Sequence, residues 1–341
     1  MKAEVSERLL IKELFKNSKA RMKRDDLELK NIDGLTGDAS TRRYYRLETN
    51  DIPFVVCLDH PSESPENSFV RMQSFLEENG VRVPRIYDMN LLKGYMLEED
   101  LGNETLLHYL SKVKDIKEEE SIYKNIVSIL LKMHGIPLKD IQENDPTGLK
   151  FDYEKLQWEI DFTVDFFLKR YLKIDDEGEL NAVKNSFKPV CERIASEKMV
   201  FTHRDFHSRN LMVLDDELVT IDFQDARLGI PQYDLVSVLE DCYYEIPDEL
   251  KVKLIKHYYN SLPPETHGQG SFENFMSLYN DMLLQRVFKA IGSFSYIYET
   301  RKDIRYLKYI GFAMEKIRKC MFKDSKYDEL RMTLFQRYYE S

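Results

Sequence analysis

The residue pattern changes once, near position 100, and this change restricts the folds available to the chain. Runs rich in aromatic and β-branched residues within 28–59, at 83–87 and at 93–98 predict five short strands. Residues 66–79 predict an amphipathic helix after the third of these strands. After the change, a 3.6-residue periodicity predicts helices at 104–134, 153–173, 179–196, 248–261 and 272–320.

These two patterns predict an α+β fold, with a small β-rich lobe at 1–100 and a large, mainly helical lobe at 101–341. A helix at 4–20 precedes the strands, and β-like pieces at 199–223 interrupt the later helices. We predict a loop at 139–148, KDIQENDPTG, because it combines proline, glycine and polar residues. A β-rich lobe followed by a helical lobe is one architecture that holds a nucleotide in a cleft.

Composition excludes several classes of protein. The 60 acidic and 50 basic residues give a net charge of −10, which argues against a general nucleic-acid binder. The N-terminus lacks an apolar signal region and the apolar runs are too short to span a bilayer, so we expect a cytoplasmic protein without a membrane partner. No two of the four cysteines have C-x-x-C spacing, which predicts reduced, buried thiols and neither a zinc nor a redox motif.

The segment 201–225, FTHRDFHSRNLMVLDDELVTIDFQD, carries most of the chemistry. A His-Arg-Asp triplet ends at Asp205, Asn210 follows five positions later, and Asp222 lies twelve positions after Asn210, on what we predict to be the next strand. This is the spacing of the kinase pattern H-R-D-x-x-x-x-N followed by a metal-binding aspartate. A loop fixed between two short strands can present these three side chains at one point.

The three residue types match the needs of phosphoryl transfer. Mg²⁺ prefers oxygen ligands, which the amide of Asn210 and the carboxylate of Asp222 can supply. A carboxylate must also orient the acceptor hydroxyl and take its proton late, and Asp205 is the candidate for this base. The sequence therefore predicts an ATP- and Mg²⁺-dependent small-molecule kinase, with nucleotide binding in the first lobe and catalysis and acceptor binding in the second.

Two further segments are candidates for nucleotide binding. The loop GLTGDAST at 34–41 can bring backbone N–H groups close to phosphates, and we name Gly37, Asp38 and Ser40 in it. Residues 94–102, GYMLEEDLG, are expected to connect the lobes and meet the adenine, and the residues selected there for cofactor binding are Glu98 and Asp100. An ordinary hairpin loop and a plain strand end remain the alternatives.

The basic partner of the phosphates is not evident from the sequence. A protein-kinase-like third strand usually supplies a lysine, but no lysine or arginine lies between Arg46 and Arg71. Arg42, Arg43 and Arg46 are the nearest basic residues, and we place Arg43 among the cofactor-binding candidates. In a strand, residues 42 and 46 share one face and residue 43 lies on the other.

Three basic or titratable residues near the motif are candidates for substrate binding. His207 lies two positions after Asp205, and a phosphate contact and a structural role are both open for it. Arg209 could neutralise charge at the site or pair with a surface acid. Arg227 could meet an anionic group of the substrate or form a structural ion pair.

Four segments together resemble a known family. They are GDASTRRYYR (37–46), VPRIYDMNLLKGYMLEEDLGNETL (83–106), HRDFHSRNLMV (203–213) and IDFQDARLGIPQYDLVSVLEDCYY (221–244). The chain resembles the aminoglycoside phosphotransferase-like kinases, and within them the bacterial anomeric N-acetylmuramate/N-acetylglucosamine kinases of cell-wall recycling. The likeness covers most of the chain. The catalytic-loop motif is shared across the superfamily, whereas the first and last segments are typical of the narrower group.

The resemblance implies a protein-kinase-like two-lobed fold, ATP with Mg²⁺, and a sugar 1-phosphate as product. It also implies that LQWEIDFTVDFF, at 156–167, borders the acceptor pocket, with Glu159 as the residue to name there. A kinase for choline, homoserine or an aminoglycoside remains an alternative, as does a non-catalytic nucleotide-binding pseudokinase. We expect a monomer whose partner is a small sugar or amino sugar.

Overall fold

The protein is described here by a computed structural model that covers residues 2–35, 42–61, 67–144, 148–263 and 270–338. The chain divides into two compact units. The sheet unit comprises Met1–Glu104 and Met212–Gln224, and the helical unit comprises Thr105–Leu211 and Asp225–Ser341. The sheet unit therefore includes a short segment, Met212–Gln224, that comes much later in the sequence than the rest of the unit.

The described strands are β1 (Leu29–Leu35), β2 (Arg43–Thr49), β3 (Phe54–Leu58), β4 (Ile86–Asn90), β5 (Tyr95–Glu99), β6 (Val200–Thr202), β7 (Leu211–Leu214), β8 (Glu217–Thr220) and β9 (Arg227–Gly229). The described α-helices are α1 (Lys2–Arg21), α2 (Ser68–Glu78), α3 (Leu106–Leu110), α4 (Ile116–His134), α5 (Leu138–Asn144), α6 (Tyr153–Thr163), α7 (Glu177–Ser196), α8 (Gln232–Leu239), α9 (Asp248–Ser261), α10 (Phe272–Arg301), α11 (Lys308–Met321) and α12 (Asp328–Tyr338). A π-helix, Val164–Tyr171, continues directly from α6.

The core of the sheet unit lies between one face of its sheet and α1. The sheet has five antiparallel strands in the order β1-β2-β3-β5-β4. Because side chains alternate along a strand, Tyr45 and Leu47 of β2 share one face, where they pack with Leu14 and Phe15 of α1. Residues 42, 44 and 46 therefore belong to the opposite face.

Helix α10 is the centre of the helical unit. Its 30 residues contact α6, α7, α8 and α11, and its buried residues lie on every side, as expected for a helix inside a core. Gly292 allows the crossing with α6, because a Cβ there would lie 2.3 Å from the hydroxyl oxygen of Thr163. Helices α4, α6 and α7 each begin at an aspartate that accepts a backbone N–H, namely Asp115, Asp152 and Asp176.

The first two helices and the five predicted strands are present, although the fourth strand, predicted at 83–87, lies at Ile86–Asn90. Several later predictions need correction. Residues 139–144, predicted as part of a loop, belong to α5, and the helix predicted at 104–134 is two helices, α3 and α4. The helix predicted at 272–320 ends at Arg301, because Lys302 adopts a left-handed backbone with φ of 56°. Helices α8 and α12 and strand β9 were not predicted.

Two predictions from composition can be compared with the structure. All four cysteines are free and buried, as predicted. Within the described residues, no helix is both long and apolar enough to cross a membrane.

Candidate active site

The loop after β6 brings Asp205 and Asn210 together. The side-chain amide of Asn210 donates a hydrogen bond of 2.9 Å to the backbone oxygen of Asp205, and its backbone N–H donates to the oxygen of His207. The His207 N–H donates in turn to the Asp205 oxygen at 3.1 Å. Arg204 adopts a positive φ of 80°, which is uncommon for a residue with a side chain. The motif residues are therefore fixed by short-range bonds inside the loop.

Two buried aspartates, which the sequence analysis missed, anchor this loop from outside. Asp234, at the start of α8, accepts the backbone N–H groups of His203 at 2.6 Å and Arg204 at 3.0 Å. It also contacts Nε2 of His134 at 3.2 Å. Asp241 accepts the N–H of Ser208 at 2.9 Å. The signal was present in the sequence, since a carboxylate inside the apolar run QYDLVSVL requires buried partners.

Asp234→Ala is expected to lower the free energy of unfolding by about 2–4 kcal/mol, because two buried N–H donors would lose their acceptor. Urea unfolding followed by circular dichroism measures this change. The exposed Asp248→Ala, on α9, is the matched control and should stay within about 0.5 kcal/mol of wild type. An unchanged unfolding midpoint for Asp234→Ala would show that the loop does not depend on this anchor.

Three cations surround the carboxylate of Asp205. Its Oδ1 accepts from Nζ of Lys289 at 3.2 Å and from Nη2 of Arg286 at 3.3 Å, and Nε of Arg204 lies 3.6 Å from Oδ2. Burial alone would raise the pKa of Asp205, but these cations hold it well below its ordinary value. The carboxylate is therefore ionised throughout the physiological pH range. Lys289 and Arg286, both on α10, were not selected from the sequence.

Glu159 lies in the same buried region, on α6. It is 1% exposed, accepts from Nε2 of Gln285 at 3.0 Å, and lies 3.6 Å from Nζ of Lys155. Glu159 therefore does not lie on a solvated helix face. Arg286 links the region to α8, since it donates to the hydroxyl of Ser237 and lies over the ring of Tyr233.

His207 and Arg209 lie against aromatic side chains. The ring of His207 packs edge-on to Tyr243, and burial lowers the pKa of His207 to about 3 despite the attraction of Asp205. The imidazole is thus neutral at physiological pH in this arrangement, and a role of His207 in binding phosphate stays a prediction. The guanidinium of Arg209 lies over the rings of Tyr243 and Tyr306 and donates to the Tyr306 hydroxyl at 3.0 Å.

Asp222 lies in the sheet unit, directly after β8. The prediction that it sits on a strand is wrong, because β8 ends at Thr220 and Asp222 has a positive φ of 64°. This backbone exposes Asp222 while the next side chain, Phe223, is buried and stacks on Phe69 of α2 at 4.9 Å between ring centres. Oδ1 of Asp222 accepts from Nε2 of Gln224 at 2.6 Å.

The other described residues of the sheet unit that were predicted to bind the nucleotide differ in their surroundings. Glu98 is buried within β5, and burial raises its pKa to about 7. Asp100 forms an ion pair of 2.6 Å with Nε of Arg46. Arg43 pairs at 3.0 Å with Glu7 of α1, which places it on the face of the sheet that packs on α1.

Arg42 lies on the other face of the sheet. Its guanidinium is 2.9 Å from Asp59 and lies over the ring of Phe69. Three of the predicted nucleotide contacts, Gly37, Asp38 and Ser40, lie outside the described residues.

Comparison with known proteins identifies the family. A model of the phosphotransferase enzyme family matches residues 31–268. The chain belongs to this family. It is 29% identical over 283 residues to an N-acetylmuramate/N-acetylglucosamine kinase of Pseudomonas aeruginosa, covering 80% of this chain and 78% of that one. A protein of the same description from Neisseria meningitidis is 28% identical over 290 residues, covering 80% and 82%.

Solved structures agree with this assignment at the level of the fold. The choline kinase LicA from Streptococcus pneumoniae superposes with a TM-score of 0.58 at 15% identity, covering 91% of this chain and 99% of that one. A ternary complex of APH(2″)-IIa with streptomycin and ATP gives 0.59 at 16% identity, covering 89% and 95%. The fold is therefore protein-kinase-like, as predicted, and the chain is a phosphotransferase that acts on a hydroxyl group.

Proposed function

We propose that this phosphotransferase is an ATP- and Mg²⁺-dependent sugar kinase that phosphorylates the anomeric hydroxyl of N-acetylmuramate and N-acetylglucosamine. The observation that carries the proposal is Asp205, a carboxylate kept ionised by Lys289 and Arg286 on a loop fixed by Asn210. The choice of sugar is supported by the two relatives that are N-acetylmuramate/N-acetylglucosamine kinases. The cytoplasm is the compartment we propose.

Asn210 and Asp222 are the residues we propose to hold the metal. Their donor atoms fit, because Mg²⁺ takes carboxylate and amide oxygens and leaves further positions to water and phosphate. The amide nitrogen of Asn210 is turned toward the Asp205 carbonyl, so the rotamer is fixed and its oxygen is the ligand-type atom. When bound, Mg²⁺ neutralises the phosphate charge that develops during transfer.

We assign Asp205 the role of orienting the acceptor hydroxyl. An ionised carboxylate accepts the hydroxyl proton as a hydrogen bond and aims the oxygen at the phosphorus. Because its pKa lies well below the ordinary value, Asp205 is a weak base and takes the proton only when the hydroxyl oxygen is already bonding to phosphorus. Catalysis then rests on orientation and charge neutralisation.

The charges around Asp205 argue against a cationic acceptor such as choline or an aminoglycoside. Lys289, Arg286 and Arg204 all lie within 4 Å of this carboxylate. A cationic acceptor brought to the same place would be repelled by these three side chains, whose combined charge exceeds that of Asp205, in a region of low dielectric constant. A neutral or anionic sugar avoids this repulsion, which favours the proposed substrates.

A substrate panel tests the proposal. The protein is incubated with labelled ATP and, separately, N-acetylmuramate, N-acetylglucosamine, choline and an aminoglycoside, and ³¹P and ¹H NMR locate the new phosphate. We expect an anomeric phosphate on the two amino sugars only, loss of turnover with EDTA and recovery with excess Mg²⁺. Phosphorylation of choline, or of a non-anomeric hydroxyl, would refute the proposal, and no labelling at all would favour a pseudokinase.

A further inference from the structure

Arg227, on β9, is a buried cation without a carboxylate partner. It is 8% exposed, and within the described ranges no carboxylate lies at ion-pair distance from its guanidinium. Its Nε donates to the backbone oxygen of Asp225 at 3.2 Å, and its guanidinium lies over the ring of Phe151 at 5.0 Å. The Asp225 carboxylate is instead bound by Arg204 at 2.6 Å. An unpaired buried charge is costly, so its retention calls for a partner that arrives from outside.

Lys155 brings a second cation to the same region. Burial lowers the pKa of Lys155, the attraction of Glu159 opposes this, and repulsion from Arg204 and Arg227 lowers the pKa further. Its ammonium lies 3.6 Å from the buried Glu159 and 4.0 Å from the ring centre of Trp158, a residue of α6 that is 55% exposed. Lys155 therefore reaches from the buried region toward solvent beside an exposed aromatic ring.

The charges of this region do not balance. Five cations lie in it with three carboxylates, and a group of opposite charge is missing. The cations are Lys155, Arg204, Arg227, Arg286 and Lys289, and the carboxylates are Asp205, Glu159 and Asp225. Asp205 is held by Lys289 and Arg286, and Asp225 is bound by Arg204. Glu159 lies beside Lys155, so Arg227 is the cation of this set that has no carboxylate at ion-pair distance.

We propose that Arg227, assisted by Lys155, binds a carboxylate carried by the acceptor and thereby sets the preference for acidic over neutral sugars. This inference rests on the proposed function. A guanidinium presents two parallel N–H donors that match a carboxylate, and the contact with Phe151 holds its plane. Lys155 adds a point charge on the solvent side.

The two amino sugars form a matched pair for the test, because N-acetylmuramate is N-acetylglucosamine with an added lactyl carboxylate. Arg227→Gln is expected to lower kcat/KM for N-acetylmuramate by about 30-fold, the effect of a lost charged hydrogen bond, and for N-acetylglucosamine by less than about 3-fold. Arg227→Lys should fall between wild type and Arg227→Gln on the acidic sugar. Calorimetric titration of each sugar without ATP measures the same preference as binding.

Each outcome is informative. Arg318→Gln, on the outer side of α11 where it pairs with Glu315, is the control and should change neither substrate. An equal loss on both sugars would overturn the inference and make Arg227 structural, and Arg227→Lys tests this even if Arg227→Gln unfolds. If wild type phosphorylates neither sugar, the proposed function fails. Calorimetry then still decides the carboxylate site, and equal binding of both sugars to wild type would refute it.

Discussion

Replacing Asp205 with asparagine is expected to reduce kcat by about 10³-fold or more, the largest effect of any substitution considered for this chain. The amide keeps the size of the side chain and can still contact a hydroxyl. It cannot take the proton, however, and it removes the negative charge that Lys289 and Arg286 bind. The loss should appear in kcat, because orientation of the hydroxyl matters most in the transition state.

The decisive measurement compares turnover with nucleotide binding. Single-turnover assays give the rate of transfer, and fluorescence titration with an ATP analogue in Mg²⁺ gives affinity, which we expect to change by less than about 3-fold. Asp225→Asn is a useful comparison, since its exposed carboxylate binds Arg204 at 2.6 Å and has no assigned role in the transfer. Turnover within about tenfold of wild type for Asp205→Asn would contradict the role assigned to Asp205.

Local signals in the sequence were sufficient for the sheet unit and for the motif. The strands follow from short aromatic and β-branched runs, and alternation along β2 correctly separated residue 43 from residues 42 and 46. The spacing of Asp205 and Asn210 predicted that one loop presents both, and the structure confirms their contact. Both signals involve residues that are close in sequence, and for such residues the local backbone geometry decides which side chains come into contact.

The cationic surroundings of Asp205 could not be predicted in the same way. Arg286 and Lys289 lie 81 and 84 residues further along the chain, and only the packing of α10 brings them to the loop. Their signal was weak but present, because charged residues within the apolar run LLQRVFKAIG cannot be buried without partners. Nothing in the sequence identified that partner as Asp205.

The loop error at 139–148 has a different physical cause. Its first half, KDIQEN, is polar, and turn residues follow, so the segment read as a loop. Pro137 nevertheless lies just before α5, and its backbone oxygen accepts from the N–H groups of Asp140 and Ile141. Ile141 is 5% exposed, and the burial of its side chain favours a short helix that composition alone does not reveal.

Lys289→Met is expected to lower kcat by about 100-fold at neutral pH and to change the pH profile as well. Lys289 is a positioning residue in our proposal, because it acts through Oδ1 of Asp205. Its removal takes away one of the charges that hold the pKa of Asp205 down, so this pKa should rise. A carboxylate with a higher pKa becomes protonated at higher pH, and the acidic limb of kcat/KM must move upward.

The direction of that shift separates an electrostatic role from a packing role. In wild type, Asp205 stays ionised well below pH 3.8, so no acidic limb from this group should be visible above about pH 5. Lys289→Met should raise the acidic limb of the kcat/KM profile into the measurable pH range. Lys289→Arg should leave that limb below the measurable range and should have a higher kcat than Lys289→Met. The exposed Lys323→Met serves as the control. If Lys289→Met loses activity with an unchanged profile, Lys289 supports the fold of the site and the low pKa of Asp205 depends on Arg286 and Arg204 alone.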